Sequence, residues 1–193
     1  MSLKNFISKT KSILFIFIIV PVIAFEDKLS AEQNISFLRD GKKVIFIRHA
    51  LAPGNGDPSN FDLANCATQR NLNKAGIEQS KNIGMFFTEN KIKIDLVLSS
   101  QWCRCKDTAR YAFKSYEEFS ALNSTYQASF AKNEAKQIKI IKNFINAWNG
   151  KEGNLILVTH YSIITAITDA IPRSGEIVIT DKKFKVLGTH LIQ

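Results

Sequence analysis

Three short stretches of this sequence place an arginine, a histidine or a serine pair directly after an apolar run. Arg48 and His49 follow Ile47, Ser99 and Ser100 follow Leu98 with Arg104 close behind, and Thr159 and His160 follow Val158. Two guanidiniums and two imidazoles brought to one rim would suit a phosphoryl group. Arginine offers a charged, rigid fork of donors that matches phosphate oxygens, and a neutral imidazole is a competent nucleophile near neutral pH. The chemistry expected is transfer of a phosphoryl group through a phosphohistidine. Taken singly, an Arg or His at a strand end is an ordinary loop residue, so the expectation rests on their joint occurrence. His190, the third histidine, has no such context and reads as structural.

The apolar runs are the elements that must carry these groups. Val44–Ile47, Asp95–Leu98 and Asn154–Val158 are short and continuous, the pattern of buried strands. Asn73–Glu89 reads as a helix capped by Asn73. Further helices are expected over Cys103–Phe113, over Lys132–Trp148 with Gly150 as its stop, and over Tyr161–Ala170 before Pro172. Gly175–Thr180 and Phe184–Leu191 read as a final hairpin or edge pair. Strands alternating with helices imply an α/β fold, a three-layer α/β/α sandwich around a mostly parallel sheet. In such sheets ligands gather beyond the carboxyl ends of the strands, where the three stretches lie.

The chain has 193 residues, 26 Lys plus Arg against 17 Asp plus Glu, with 45% hydrophobic and 22% charged residues. That composition excludes a disordered tail, a collagen and a polytopic membrane protein. Residues 1–24 read as a signal peptide: Lys4, Lys9 and Lys11 precede the apolar stretch Ile13–Val20, and Val22 and Ala24 supply small residues before a cut after Ala24. The run is short for a membrane span, which needs about 20 apolar residues, although an uncleaved segment would act as an anchor. The implied location is periplasmic or secreted. Residues 25–41 read as a polar linker and 42–193 as the functional domain. The mature chain keeps 23 positive and 17 negative side chains. This excess suits an anionic substrate, and no basic stripe with interleaved aromatics marks a nucleic-acid groove.

Three cysteines accompany the export signal, so a disulfide is expected from Cys66 to either Cys103 or Cys105. Neighbours two residues apart would bridge only with strain. A zinc site is the alternative, but the Cys-x-Cys spacing is not that of zinc ligands.

With these residues in view, Val44-Ile-Phe-Ile-Arg48-His49-Ala50 resembles the Arg-His-Gly signature of the histidine phosphatase superfamily, which includes the phosphoglycerate mutases. Ala50 stands where that family has Gly. Gln69-Arg-Asn-Leu-Asn-Lys-Ala-Gly76, Leu98-Ser-Ser100 with Arg104 and Thr108-Ala109, and Leu157-Val-Thr-His160 follow in the family's order. The resemblance implies the histidine phosphatase (phosphoglycerate mutase-like) fold, with His49 as nucleophile and Arg48, Arg104 and His160 holding the phosphoryl oxygens. Asn55 and Arg70 are its further candidates for substrate contact. It implies no metal and no cofactor, and a small phosphorylated compound or a phosphoprotein as substrate, with no nucleic-acid partner.

One departure from the family pattern bears on mechanism. Many members carry a glutamate general acid where this chain has Ala121-Leu-Asn-Ser-Thr125, and Asn123 has no proton to titrate. Asp57, Glu117 and Glu118 are the substitutes the sequence offers. A mutase-like phosphotransferase and a non-catalytic phosphate-binding module are the competing readings. No Gly-x-Ser-x-Gly elbow or Gly-x-x-x-x-Gly-Lys-Ser/Thr loop supports a serine hydrolase or a P-loop ATPase.

Overall fold

A computed structural model describes residues 22–192. Most of the expected signal peptide therefore lies outside the described residues. Six strands form one sheet in the order β3-β2-β4-β1-β5-β6: β1 (Val44–Arg48), β2 (Ile94–Ser99), β3 (Glu117–Glu118), β4 (Asn154–Thr159), β5 (Glu176–Thr180) and β6 (Val186–Leu191). The pairs β3·β2, β2·β4 and β4·β1 are parallel, whereas β5 runs antiparallel to both β1 and β6. The three apolar runs are thus adjacent parallel strands, and the final hairpin forms as expected.

Alternation along the strands divides the core in two. Ile45, Ile47, Ile156, Val158, Ile177 and Ile179 face one layer with Ile83, Phe87, Cys105 and Ala109. Those helical residues belong to α2 (Lys74–Glu89) and α3 (Cys103–Phe113). Val44, Phe46, Leu155, Leu157 and Val178 face the opposite layer with Ile141, Ile145, Ile163 and Ile164. These come from α5 (Glu134–Ala147) and α6 (Tyr161–Thr168). With both faces covered, β4 is buried along its whole length, which is why its central residues Leu155–Val158 are apolar without a polar alternate. The result is the expected three-layer sandwich.

Local chemistry sets the element ends. Asn73 caps α2, its Oδ1 accepting from the Gly76 N–H at 2.8 Å. Gly76 lets α2 pack tightly on the segment after His49, since a Cβ there would lie 2.1 Å from the Leu51 carbonyl oxygen. The helix expected over 132–148 is shorter, with a separate turn, α4 (Ala128–Ala131), before it. Helix α6 stops at Thr168 because Asp169 takes a left-handed conformation.

The stretch read as a polar linker is helical instead. Helix α1 (Val22–Arg39) buries Asn34 and Leu38. Asn34 Nδ2 donates to the Thr189 carbonyl at 2.7 Å, and the Leu38 carbonyl accepts from Asn154 Nδ2 at 2.8 Å. Two long-range hydrogen bonds and one buried leucine thus dock a helix whose sequence carries little amphipathic signal. No helix among the described residues is long and apolar enough to cross a membrane.

Candidate active site

Strands β1, β2 and β4 end side by side, so their last residues share one rim. The structure lines a single cavity of about 350 Å³ with Arg48, His49, Asn55, Arg70, Arg104 and His160, all six of the residues singled out above. Asp57, Ser124, Tyr126 and Tyr161 also line it.

His49 is buried, its backbone N–H donating to the Thr159 carbonyl at 2.9 Å. Its Nδ1 lies 2.8 Å from the Ala50 carbonyl oxygen. A carbonyl only accepts, so Nδ1 carries the proton and the lone pair is left on Nε2. The Ala50 N–H is itself held by Thr108 Oγ1 at 3.0 Å. Burial, then the Arg104 charge, pushes the His49 pKa well below the ordinary 6.5, with Arg70 and Arg48 adding to this against the Ala50 hydrogen bond. The imidazole is therefore neutral at neutral pH.

His160 sits opposite, also buried and also held neutral by burial and then by Arg104. Its Nε2 is 2.9 Å from Ser100 Oγ and its Nδ1 is 3.4 Å from Arg104 Nη2. A guanidinium can only donate, so Nδ1 faces it as acceptor, and the Nε2 proton goes to Ser100. Ser100 in turn donates to Asn123 Oδ1 at 3.2 Å.

Three guanidiniums surround the imidazoles. Arg48 Nη1 donates to the Pro172 carbonyl at 2.9 Å, and its guanidinium carbon is 5.9 Å from the Tyr161 ring centre. Arg70 is fixed by Nε donating to the Gly56 carbonyl at 2.9 Å and Nη1 donating to that of Ala52. Arg104 forms a buried two-pronged pair with Asp57, at 2.8 and 3.2 Å. The Nε atoms of Arg48 and Arg104 are buried without a protein partner. Two orphaned cationic donors on residues that line the same cavity as His49 fit an oxyanion. Among the described residues, no group of three or more His, Cys, Asp or Glu side chains could hold a metal.

The candidate general acids do not serve. Burial alone would raise the Asp57 carboxyl, but the hydrogen bonds and charge of Arg104, the Arg70 N–H and the Trp102 indole outweigh it and hold the group below its ordinary 3.8. It stays ionised. Glu117 and Glu118 are exposed on the edge strand β3, Glu118 pairing with Lys106 at 3.2 Å, and neither lines the cavity. Asn123 turns away as well, its Oδ1 accepting from the Gln101 N–H at 2.9 Å.

Cys66 pairs with Cys103, leaving Cys105 free and buried. The bridge ties the turn before Arg70 to the first residue of α3, next to Arg104. Cys105 Sγ lies 3.4 Å from His160 Nε2, and burial pushes its thiol up to about 12.

Sequence reasoning missed Tyr161, Ser124 and Tyr126 as cavity residues. Tyr161 had a readable signal, since it directly follows His160 at a helix start. Ser124 and Tyr126 lie in irregular chain with no periodicity to read.

No protein-family model matches the sequence, and no curated protein matches it. Solved structures do. SixA from Agrobacterium tumefaciens is 19% identical over 77% of this chain and 97% of its own, with a TM-score of 0.52. A protein histidine phosphatase SixA complexed with tungstate is 14% identical, covering 76% of this chain and 95% of its own, with a TM-score of 0.51. A mycobacterial glucosyl-3-phosphoglycerate phosphatase is 11% identical over 72% of this chain and 92% of its own, with a TM-score of 0.53. Together with the sheet order, these likenesses give the chain the α/β fold of the histidine phosphatases.

Proposed function

We propose that the protein is a metal-independent phosphatase that works through a phosphohistidine on His49. The observation that carries this reading is the neutral, buried His49, with its lone pair on Nε2, in one cavity with three guanidiniums. Nε2 attacks phosphorus as the bond to the leaving group breaks, and the leaving group departs with the bonding electron pair. Water then attacks phosphorus, the P–N bond breaks, and orthophosphate leaves a neutral imidazole once more. Arg48 and Arg104 offset the charge on the phosphoryl oxygens throughout, which is positioning and electrostatics rather than acid-base work.

Substrates follow from the missing acid. A positioned general acid typically contributes about 100- to 10,000-fold, and the one carboxylate lining the cavity is pinned as an anion. Aryl and acyl phosphates suit such a site because their leaving groups depart as weakly basic anions, and phosphoramidates because their nitrogen can take a proton from solvent before it departs. Small metabolites and phosphoproteins both carry such groups. Rapid quench with labelled aryl phosphate tests the reading: an acid-labile, base-stable adduct should form and be absent from His49→Ala. Activity lost to EDTA and restored by zinc or magnesium would overturn it, as would turnover with no such adduct.

We also propose a periplasmic or secreted location. The Cys66–Cys103 bridge supports it, since such bonds persist in oxidising compartments. Protein from the native host should begin within a few residues of Phe25.

A further inference from the structure

Asp57 is the only carboxylate among the described residues that line the cavity, an unexpected group where an anion must bind. Its side chain is 1% exposed, and four donors from three residues surround it. Oδ1 accepts from Arg104 Nη1 at 2.8 Å and from the Arg70 backbone N–H at 3.0 Å. Oδ2 accepts from Arg104 Nη2 at 3.2 Å and from Trp102 Nε1 at 3.0 Å. Gln127 closes the loop behind it, its Oε1 accepting from the Asp57 N–H at 3.3 Å. A planar anion thus already fills the end-on fork of the arginine that the phosphatase reading assigns to substrate.

We propose that Asp57 is a built-in counter-ion and positioning residue: it occupies the end of the Arg104 fork, aims the remaining edge at the phosphoryl site, and limits how tightly the cavity holds phosphate. This rests on the phosphatase reading above.

Two consequences follow from geometry and charge. Nη1 and Nη2 each give one N–H to Asp57, and their second N–H groups go to the Arg70 carbonyl at 3.3 Å and to His160 Nδ1 at 3.4 Å, so the donor left on Arg104 is Nε, buried and without a protein partner. The contact of Nη2 with His160 Nδ1 shows that this edge faces the second imidazole. The ion pair therefore fixes which face of the guanidinium meets the substrate. The charge count is as specific. Three guanidiniums and one carboxylate, with both imidazoles neutral, leave two positive charges in the cavity. That matches a phosphoryl dianion. Without Asp57 the cavity would carry a third unbalanced positive charge, and the orthophosphate produced at the end of the cycle would be held more tightly than release allows.

The test compares wild-type protein with Asp57→Asn and Asp57→Ser, each measured for calorimetric binding of orthophosphate and for kcat and KM on p-nitrophenyl phosphate. Asp57→Asn should bind orthophosphate about tenfold more tightly, since a like charge has gone from a partly buried site. Its kcat and KM should fall together as release slows. Asp57→Ser removes the same charge with a smaller acceptor, so it should move phosphate affinity in the same direction; it carries the test if Asp57→Asn does not fold. A purely structural role would weaken phosphate binding or leave it unchanged, and either result in a folded variant overturns the proposal. Wild-type protein that neither binds phosphate nor turns over the ester overturns the phosphatase reading and this proposal with it. Wild-type turnover without tighter binding in the variants overturns this proposal alone.

Discussion

The rings of His49 and His160 meet edge to face, 5.5 Å between centroids and 66° between planes. Each is mounted at the end of its own strand, and each is kept neutral first by burial and then by Arg104. Two imidazolium ions could not share this space beside three guanidiniums.

Stability should therefore fall on mild acidification. For a histidine whose folded pKa lies below its ordinary 6.5, the unfolded chain binds more protons, so stability rises with pH. The contribution is complete above 6.5 and is lost as pH drops towards the folded values. Asp57 adds a separate loss below its ordinary 3.8. Urea unfolding midpoints should drop between about pH 7.5 and about pH 5. A His49→Gln/His160→Gln double variant should flatten that slope; an unchanged slope would contradict buried neutral imidazoles.

Catalysis should depend unequally on His49 at the end of β1 and on Arg104 in the first turn of α3. His49→Ala should reduce turnover of p-nitrophenyl phosphate to background, because the attacking atom is gone. Arg104→Gln keeps the nucleophile and removes a charged donor, a loss of about 100- to 1,000-fold in kcat. Steady-state kinetics with a matched expression control decides between them.

The bridge between Cys66 and Cys103 should contribute about 2 to 4 kcal/mol to stability, given the loop it closes. A Cys66→Ser/Cys103→Ser variant should show a lower urea midpoint and a raised KM, because the turn leading to Arg70 and the start of α3 lose their tie. Iodoacetamide should label no thiol in the folded, oxidised protein, since Cys105 is buried and its thiol is pushed up to about 12. Labelling of Cys105 without unfolding would contradict this placement.

Leaving-group sensitivity can be tested by adding an acid. Asn123→Glu should leave alkyl phosphates poor substrates, since position 123 faces Ser100 and Gln101 rather than the cavity. Ser124→Glu introduces a carboxyl on the cavity wall and should flatten the dependence of rate on leaving-group pKa. Equal gains from both variants would show that the 121–125 segment rearranges.

The parts legible in the sequence are those where one residue type must repeat. Val44–Ile47 and Leu155–Val158 are apolar throughout because both faces of the sheet are covered, so strand and burial were readable together. The rim followed, since Arg48 and His49 directly follow the first run, and Thr159 and His160 the second. Helix α1 escaped because its docking depends on Asn34 and Leu38 meeting partners more than a hundred residues away. The role of Asp57 was equally hidden: only the folded loop shows that an acid in a Gly-Asp-Pro turn reaches an arginine 47 residues on. Contacts of that range leave no periodic trace.

Strand β4 lies between β1 and β2 in the sheet, yet it is the last of the three to be synthesised. A nascent chain that has emerged as far as α5 already carries His49, Arg70 and Arg104, but β1 and β2 have nothing to join them. The cavity has no second wall until residue 160 arrives. During synthesis the chain therefore carries these rim residues without a pocket to hold them. His49, His160 and the arginines come together only when the central strand slots into place, so any truncation before β4 should be inert rather than weakly active.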